Sequence, residues 1–261
     1  MAKRRDPAVA GLFYAADPAA LREALVALLR GVPAPVPGQP KALIVPHAGY
    51  QYSGAVAAMA YRHLAPVREQ IERVVLLGPA HRVWLEGLAV PSVDAFATPL
   101  GDVAIDTSAR DRIGQLPGVQ VSDAAHEQEH SLEVQLPFLQ VALEDFSVLP
   151  IVVGHCAPAT VAAAIDSLWG GAETLIVISS DLSHFHTYDE ARRIDLRTSH
   201  RILERATDLG GEEACGAVAV NGLMACRNAA ELSIQQVDLR NSGDTAGDRA
   251  RVVGYGAYVL H

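Results

Sequence analysis

Five continuous apolar runs constrain this chain more than any other feature: KALIVP (41–46), RVVLLGP (73–79), SVLPIVVG (147–154), TLIVISS (174–180) and ARVVGYGAYVL (250–260). A strand with one wet face alternates apolar and polar residues, whereas an unbroken Val, Ile and Leu run is a strand buried on both faces. Helical patterns fill the intervals. Asp17-Pro18 is an N-cap followed by proline in the first helical turn, and LREALVALLR continues it. SGAVAAMAYRHL (53–64) is a small-residue helix, and SLEVQLPFLQVALEDF (131–146) is helical with Pro137 expected to kink it or to sit in its first turn. A helix is expected from about Pro158 to Leu168, with longer helical patterns over 188–208 and 211–230. LAVPSV (88–93) is a weaker strand, and the turn residues Pro99-Leu100-Gly101-Asp102 predict a hairpin. The Pro-rich stretch GVPAPVPGQP (31–40) is an extended connector too short to separate domains. The expectation is a single α/β domain over residues 1–261, with a central, mostly parallel or mixed sheet flanked by helices on both faces.

Charge and composition exclude several functions. The formal net charge of −9 lacks the basic footprint that nucleic acid or an anionic membrane surface requires. No apolar run approaches the ~20 residues needed to span a bilayer. The basic start MAKRR is not followed by the apolar segment of a signal peptide. Cys156, Cys215 and Cys226 show no CxxC spacing and fit reduced, mostly buried thiols, so a cytoplasmic protein is expected.

In open α/β sheets, ligands bind beyond the carboxyl ends of the strands. Here LIVP ends on His47, VVLLGPA ends on His81, and LIVISS ends on Asp181 with His184 and His186 close behind. PIVVG ends on His155, which fits a loop start equally well. One strand-end histidine is usually structural; several delivered to one rim argue for a site. A separate run, DAAHEQEHSLE (123–133), precedes a helix. The helix dipole accounts for its carboxylates but not for its two imidazoles, which makes Glu129 and His130 candidates. The late loop NSGDTAGDRARVV offers Asp244, although turn formation alone explains its composition. Two imidazoles and a carboxylate suit a non-haem Fe(II) centre or a zinc hydrolase, and His184 has the chemistry of a general base. The chain has no GxSxG, Walker A or GxGxxG motif, which disfavours serine hydrolases, P-loop NTPases and Rossmann dehydrogenases.

Six segments, RDPAVAGLFY, PHAGYQYSG, LLGPAHR, EQEHSLEVQLPFL, ISSDLSHFH and SGDTAGDRARVVGYGA, resemble the MEMO family in order and spacing, in the manner of AmmeMemoRadiSam system protein B. The resemblance covers essentially the whole chain and implies a fold similar to class III extradiol (LigB-type) dioxygenases, with a non-haem-metal-type pocket. It matches His47 and His81 to the family's metal-binding histidines, and Asp181 and His184 to its SSDLSH motif, with His184 in the acid/base position. Animal members place a cysteine in the loop before the last strand and are associated with copper or iron. Here that loop has no cysteine and Asp244 is the nearest match, implying a two-His-one-carboxylate set for one divalent metal. Fe(II) is then favoured, with zinc, manganese or copper as alternatives. The implied function is a metal-dependent, dioxygenase-like redox enzyme of unknown substrate, with His184, Asp181, His130 and Glu129 as catalytic candidates. The alternatives are a non-catalytic peptide or phosphopeptide adaptor using the same pocket, and a zinc-dependent hydrolase. The expected ligand is an unidentified small molecule or peptide, and the family's association with radical-SAM and AMMECR1-type proteins implies a shared pathway.

Overall fold

The computed structural model describes residues 3–33 and 38–261; the middle of the expected Pro-rich connector, residues 34–37, lies outside the described residues. Strands follow in chain order as β1 (Arg4–Arg5), β2 (Ala42–Val45), β3 (Arg73–Pro79), β4 (Leu88–Val90), β5 (Ala95–Thr98), β6 (Gly101–Ala104), β7 (Val119–Val121), β8 (Ser147–Val153), β9 (Thr174–Ser179), β10 (His184–His186), β11 (Ile234–Asn241) and β12 (Val252–Leu260). The helices are α1 (Pro18–Arg30), α2 (Tyr50–Tyr61), α3 (Thr107–Ile113), α4 (Asp123–Glu127), α5 (His130–Glu133), α6 (Gln135–Ala142), α7 (Pro158–Leu168), α8 (Tyr188–Leu203) and α9 (Ala217–Ala225).

Among the described residues, nine strands form one sheet in the order β10-β12-β2-β9-β3-β8-β4-β7, with β11 paired to β12 outside that path. The centre, β2-β9-β3-β8, is parallel, and antiparallel pairings of β12 with β2 and of β4 with β8 bound it. The sheet is therefore mixed with a parallel middle. The apolar runs supply that middle because each strand feeds two cores in alternation. Leu43, Val45, Val74, Leu76, Leu175 and Val177 face one core; Ala42, Ile44, Val75, Leu77, Ile176 and Ile178 face the other. Burying each such Val, Leu or Ile contributes about 1.5–3 kcal/mol, which makes these strands the rigid base of the molecule.

Several local expectations are met. Asp17 caps α1 by accepting the Ala20 amide at 2.8 Å. β5 and β6 form the expected hairpin, which joins β1 in a separate three-stranded sheet. Others need correction. The 131–146 segment is two short helices, α5 and α6, with Pro137 in the first turn of α6, where its missing N–H costs nothing. In 211–230 only α9 is helical; Gly210 and Gly211 favour the turn that precedes it. β11 was not foreseen from its sequence, because IQQVDLRN alternates polar and apolar residues as an outer strand pairing with β12 does. No helix among the described residues is long and apolar enough to cross a membrane.

Candidate metal centre at the strand ends

Because β2, β9 and β3 are adjacent and parallel, their carboxyl ends open on one rim. His47, Asp181 and His81 each follow one of these strands by two residues. The helical pair α4–α5 crosses the same rim and brings Glu129 and His130 over it. Gly78 permits that crossing: a Cβ there would lie 2.7 Å from Ser131 Oγ and 2.9 Å from Leu132. Ser131 Oγ then donates to the Pro79 carbonyl at 3.1 Å.

His47, His81 and His130 converge: one ring nitrogen of each lies within 4.8 Å of those of the other two. The rings of His81 and His130 stack at 4.7 Å, while His47 meets His81 and His130 edge-on at 5.2 and 5.6 Å. These three residues form a group able to hold a metal ion.

Hydrogen-bond accounting fixes how two of them present themselves. The Ser179 hydroxyl spends its one hydrogen on the Ser131 carbonyl, at 2.7 Å, and accepts from Gln135 Nε2 at 2.8 Å. Toward His47 Nδ1, 2.8 Å away, it has only a lone pair left, so Nδ1 carries the ring proton and Nε2 is unprotonated, facing the Cys215 thiol. Gln135 is itself held by the Tyr61 hydroxyl at 2.9 Å and by the Pro46 carbonyl at 3.0 Å. His81 Nδ1 donates to Glu129 Oε1 at 2.9 Å, leaving its Nε2 bare as well. His130 Nδ1 is buried without a hydrogen-bond partner, 3.6 Å from Glu129 Oε1. Two anchored imidazoles with bare nitrogens and a third with an orphaned one are a donor set that fits a divalent cation, with Ser179 and Glu129 as outer partners.

Electrostatics agree. Burial, reinforced by the charge of His81, pushes the His47 imidazole down to about 3. Burial and then His47 push His130 down to about 4. Both rings are thus neutral, as metal ligands must be. Burial alone would raise the Glu129 carboxyl, but the His81 ring and the amides of His81 and Ser131 outweigh it and hold it at about 2. Asp181 accepts the His47 amide at 2.7 Å, and its carboxyl is raised by burial. His184 Nδ1 donates to the Leu182 carbonyl at 2.8 Å, which leaves its Nε2 able to take a proton.

Asp244, expected as the third ligand, is not a member of the group. One of its oxygens accepts from the Tyr188 hydroxyl and the other from the Asn241 amide at 3.1 Å, in a capping box that closes the loop on itself. His130 takes the third place, and Glu129 supports His81. Two further neighbours were not anticipated. Cys215 Sγ lies 3.3 Å from His47 Nε2, a residue that sequence alone assigns to the core. Phe13 packs on His130 at 4.9 Å, carried there by an N-terminal arm locked through the buried Arg5–Glu133 pair. Glu133 also accepts from the Tyr14 hydroxyl and the amides of Ala8 and Val9. His155 lies off the rim, stacked on the exposed Trp84 at 6.2 Å.

Beside the group is an open cleft of about 640 Å³, reached through His130, which lines it together with Asp181. Its walls include Phe13, Tyr52, Val253 and Tyr255, and Arg251 stands at one side.

Comparison with known proteins places these residues in a family context. A protein family described as "Memo-like protein" matches residues 5–259. A MEMO1 family protein of Aquifex aeolicus is 41% identical over 96% of this chain and 97% of its own length. Another from Methanopyrus kandleri is 33% identical over 98% of each chain. Among solved structures, an uncharacterized protein of Escherichia coli K12 shares the fold, with a TM-score of 0.51 and 12% identity over 84% of this chain and 99% of that one.

Proposed function

This chain belongs to the Memo-like family, and on that premise we propose that it is a metal-dependent enzyme acting on a small molecule in the cleft that His130 lines, with His47, His81 and His130 as the metal-holding group. The observation that carries the proposal is the convergence of three imidazole nitrogens within 4.8 Å of one another, with one of the three, His130, lining a cavity of about 640 Å³. A bound divalent cation, Fe(II) foremost, would supply Lewis acidity and, as iron, redox chemistry toward oxygen. The chain's own residues supply the rest. Ser179 and Glu129 orient the ligand rings, and the buried wall around His47 excludes water. His184 Nε2 would accept a proton from a substrate hydroxyl, and Asp181 would stabilise the resulting imidazolium. The reaction is a dioxygenase-like oxidation.

A second reading, zinc-dependent hydrolysis, is favoured by one feature: the third donor is an imidazole and not the carboxylate of a facial triad. Metal analysis of protein purified anaerobically, followed by oxygen uptake with a panel of hydroxylated aromatic compounds, separates the two. The oxidative reading expects about one equivalent of iron and metal-dependent oxygen uptake. Zinc at that stoichiometry with no uptake supports hydrolysis. Absence of any metal, with tight binding of a phosphotyrosine peptide, would overturn both in favour of an adaptor.

A further inference from the structure

The cleft carries one charged group that neither its walls nor the metal centre uses. Arg251 is exposed at the cleft's side, and its guanidinium makes no hydrogen bond or ion pair among the described residues. The two carboxylates in the lining are engaged elsewhere: Asp181 accepts the His47 amide, and Asp248 accepts the Ala250 amide at 2.8 Å. An exposed arginine is ordinarily a mobile, solvated group. This one is held, because its guanidinium carbon sits 4.3 Å from the centre of the Phe185 ring.

Phe185 is itself placed at a cost. Among the described residues it is one of two non-glycine residues with positive φ, at 65°, and its side chain is 60% exposed. The pairing of β10 with β12 shifts register between His184 and His186, and this irregularity turns the Phe185 ring outward. The same ring meets His184 edge-on at 5.6 Å. Strained backbone of this kind costs about 1–3 kcal/mol and persists where surrounding structure requires it. Here it yields a line of three groups, His184, Phe185 and Arg251, running from the proton acceptor to the cleft's side.

We propose that the cleft selects a small organic anion with an apolar, planar body, its carboxylate on Arg251 and its body between Phe13, Tyr52 and Tyr255, so that its far end reaches His130 and Asp181. This deepens the enzymatic reading and rests on it for the role of the far end, while the anion site stands on Arg251 and Phe185 alone. A guanidinium presents parallel N–H donors that match a carboxylate and no neutral isostere. The aromatic walls favour a flat body over a polar one.

The test is titration of the full chain with benzoate and with benzamide, before and after chelation of metal, in the parent and in Arg251→Gln. Benzoate is expected to bind about 10-fold more tightly than benzamide, a preference that survives chelation and falls to about 2-fold or less in Arg251→Gln. Metal content and melting temperature of that variant should match the parent, since Arg251 is exposed and outside the donor group. Equal binding of the two probes, no binding of either, or a preference that Arg251→Gln leaves intact overturns the proposal. A preference lost on chelation but kept in Arg251→Gln also overturns it, because the carboxylate then goes to the metal. A parent chain that holds no metal yet prefers benzoate through Arg251 refutes the enzymatic reading and leaves the anion site standing.

Discussion

The rim of the parallel strands and the loop before β12 both carry titratable groups, yet they use them in opposite ways. On the rim, two of the three converging imidazoles are held from outside their own segments: His47 by Ser179 of β9, and His81 by Glu129 from the start of α5. In the late loop, both oxygens of Asp244 are occupied: one caps Asn241 within the loop and the other accepts from Tyr188 of α8. Anchoring each ring through Nδ1 leaves its Nε2 unprotonated, while bonds to both oxygens occupy the Asp244 carboxylate. Residue type alone does not separate a ligand from a cap; what separates them is which atoms remain after the hydrogen bonds are counted.

The largest expected effect lies in the arm that walls the rim. Glu133→Ala would leave Arg5 buried and unpaired and release the amides of Ala8 and Val9. A loss of about 3–5 kcal/mol is expected in urea unfolding, with a weakened Phe13 contact on His130. A loss below about 1 kcal/mol would mean that the arm is not locked as described.

A second contrast concerns pH. Free histidine titrates near 6.5, while His47 and His130 are pushed down to about 3 and about 4. Between those values and 6.5 the unfolded chain binds more protons than the folded one, so stability rises with pH across that window. From these two rings, metal-free protein should lose on the order of 5 kcal/mol between pH 7.5 and pH 4.5. Chemical denaturation at the two pH values checks this, and an unchanged free energy would contradict the buried, neutral rings.

The outer partners give the next step down. Ser179→Ala removes the acceptor that fixes the proton on His47 Nδ1. Metal affinity should fall about 10- to 100-fold while Ser179→Thr, which keeps a hydroxyl, recovers most of it. Nitrogen chemical shifts of His47 should report a mixture of ring tautomers in the alanine variant only. Full metal affinity in Ser179→Ala would remove the ordering role assigned to β9.

How much of this was legible beforehand differs in the same manner. The central strands were legible because continuous apolar runs have few other uses, and the strand-end positions of His47, His81 and Asp181 followed from the parallel topology. His130 and Glu129 stood out as candidates because a helix N-terminus explains carboxylates but not imidazoles. Their division of labour was not legible, since it depends on how closely α5 approaches β3 over Gly78. Gln135, Ser179 and Cys215 carried no signal, because a lone polar residue in an apolar run has no partner until the chain folds. β11 was missed for a related reason: its pattern is that of an outer strand, and only the pairing with β12 gives it a place.

The most direct test of the three-imidazole centre is the metal content of His130→Ala and Asp244→Ala, purified side by side without oxygen. His130→Ala should lose bound metal with its fold intact. Asp244→Ala should keep the parent's full complement, with a stability cost of about 1 kcal/mol from the lost cap. The reverse outcome, metal retained without His130 and lost without Asp244, would contradict the account and return the third ligand to the late loop.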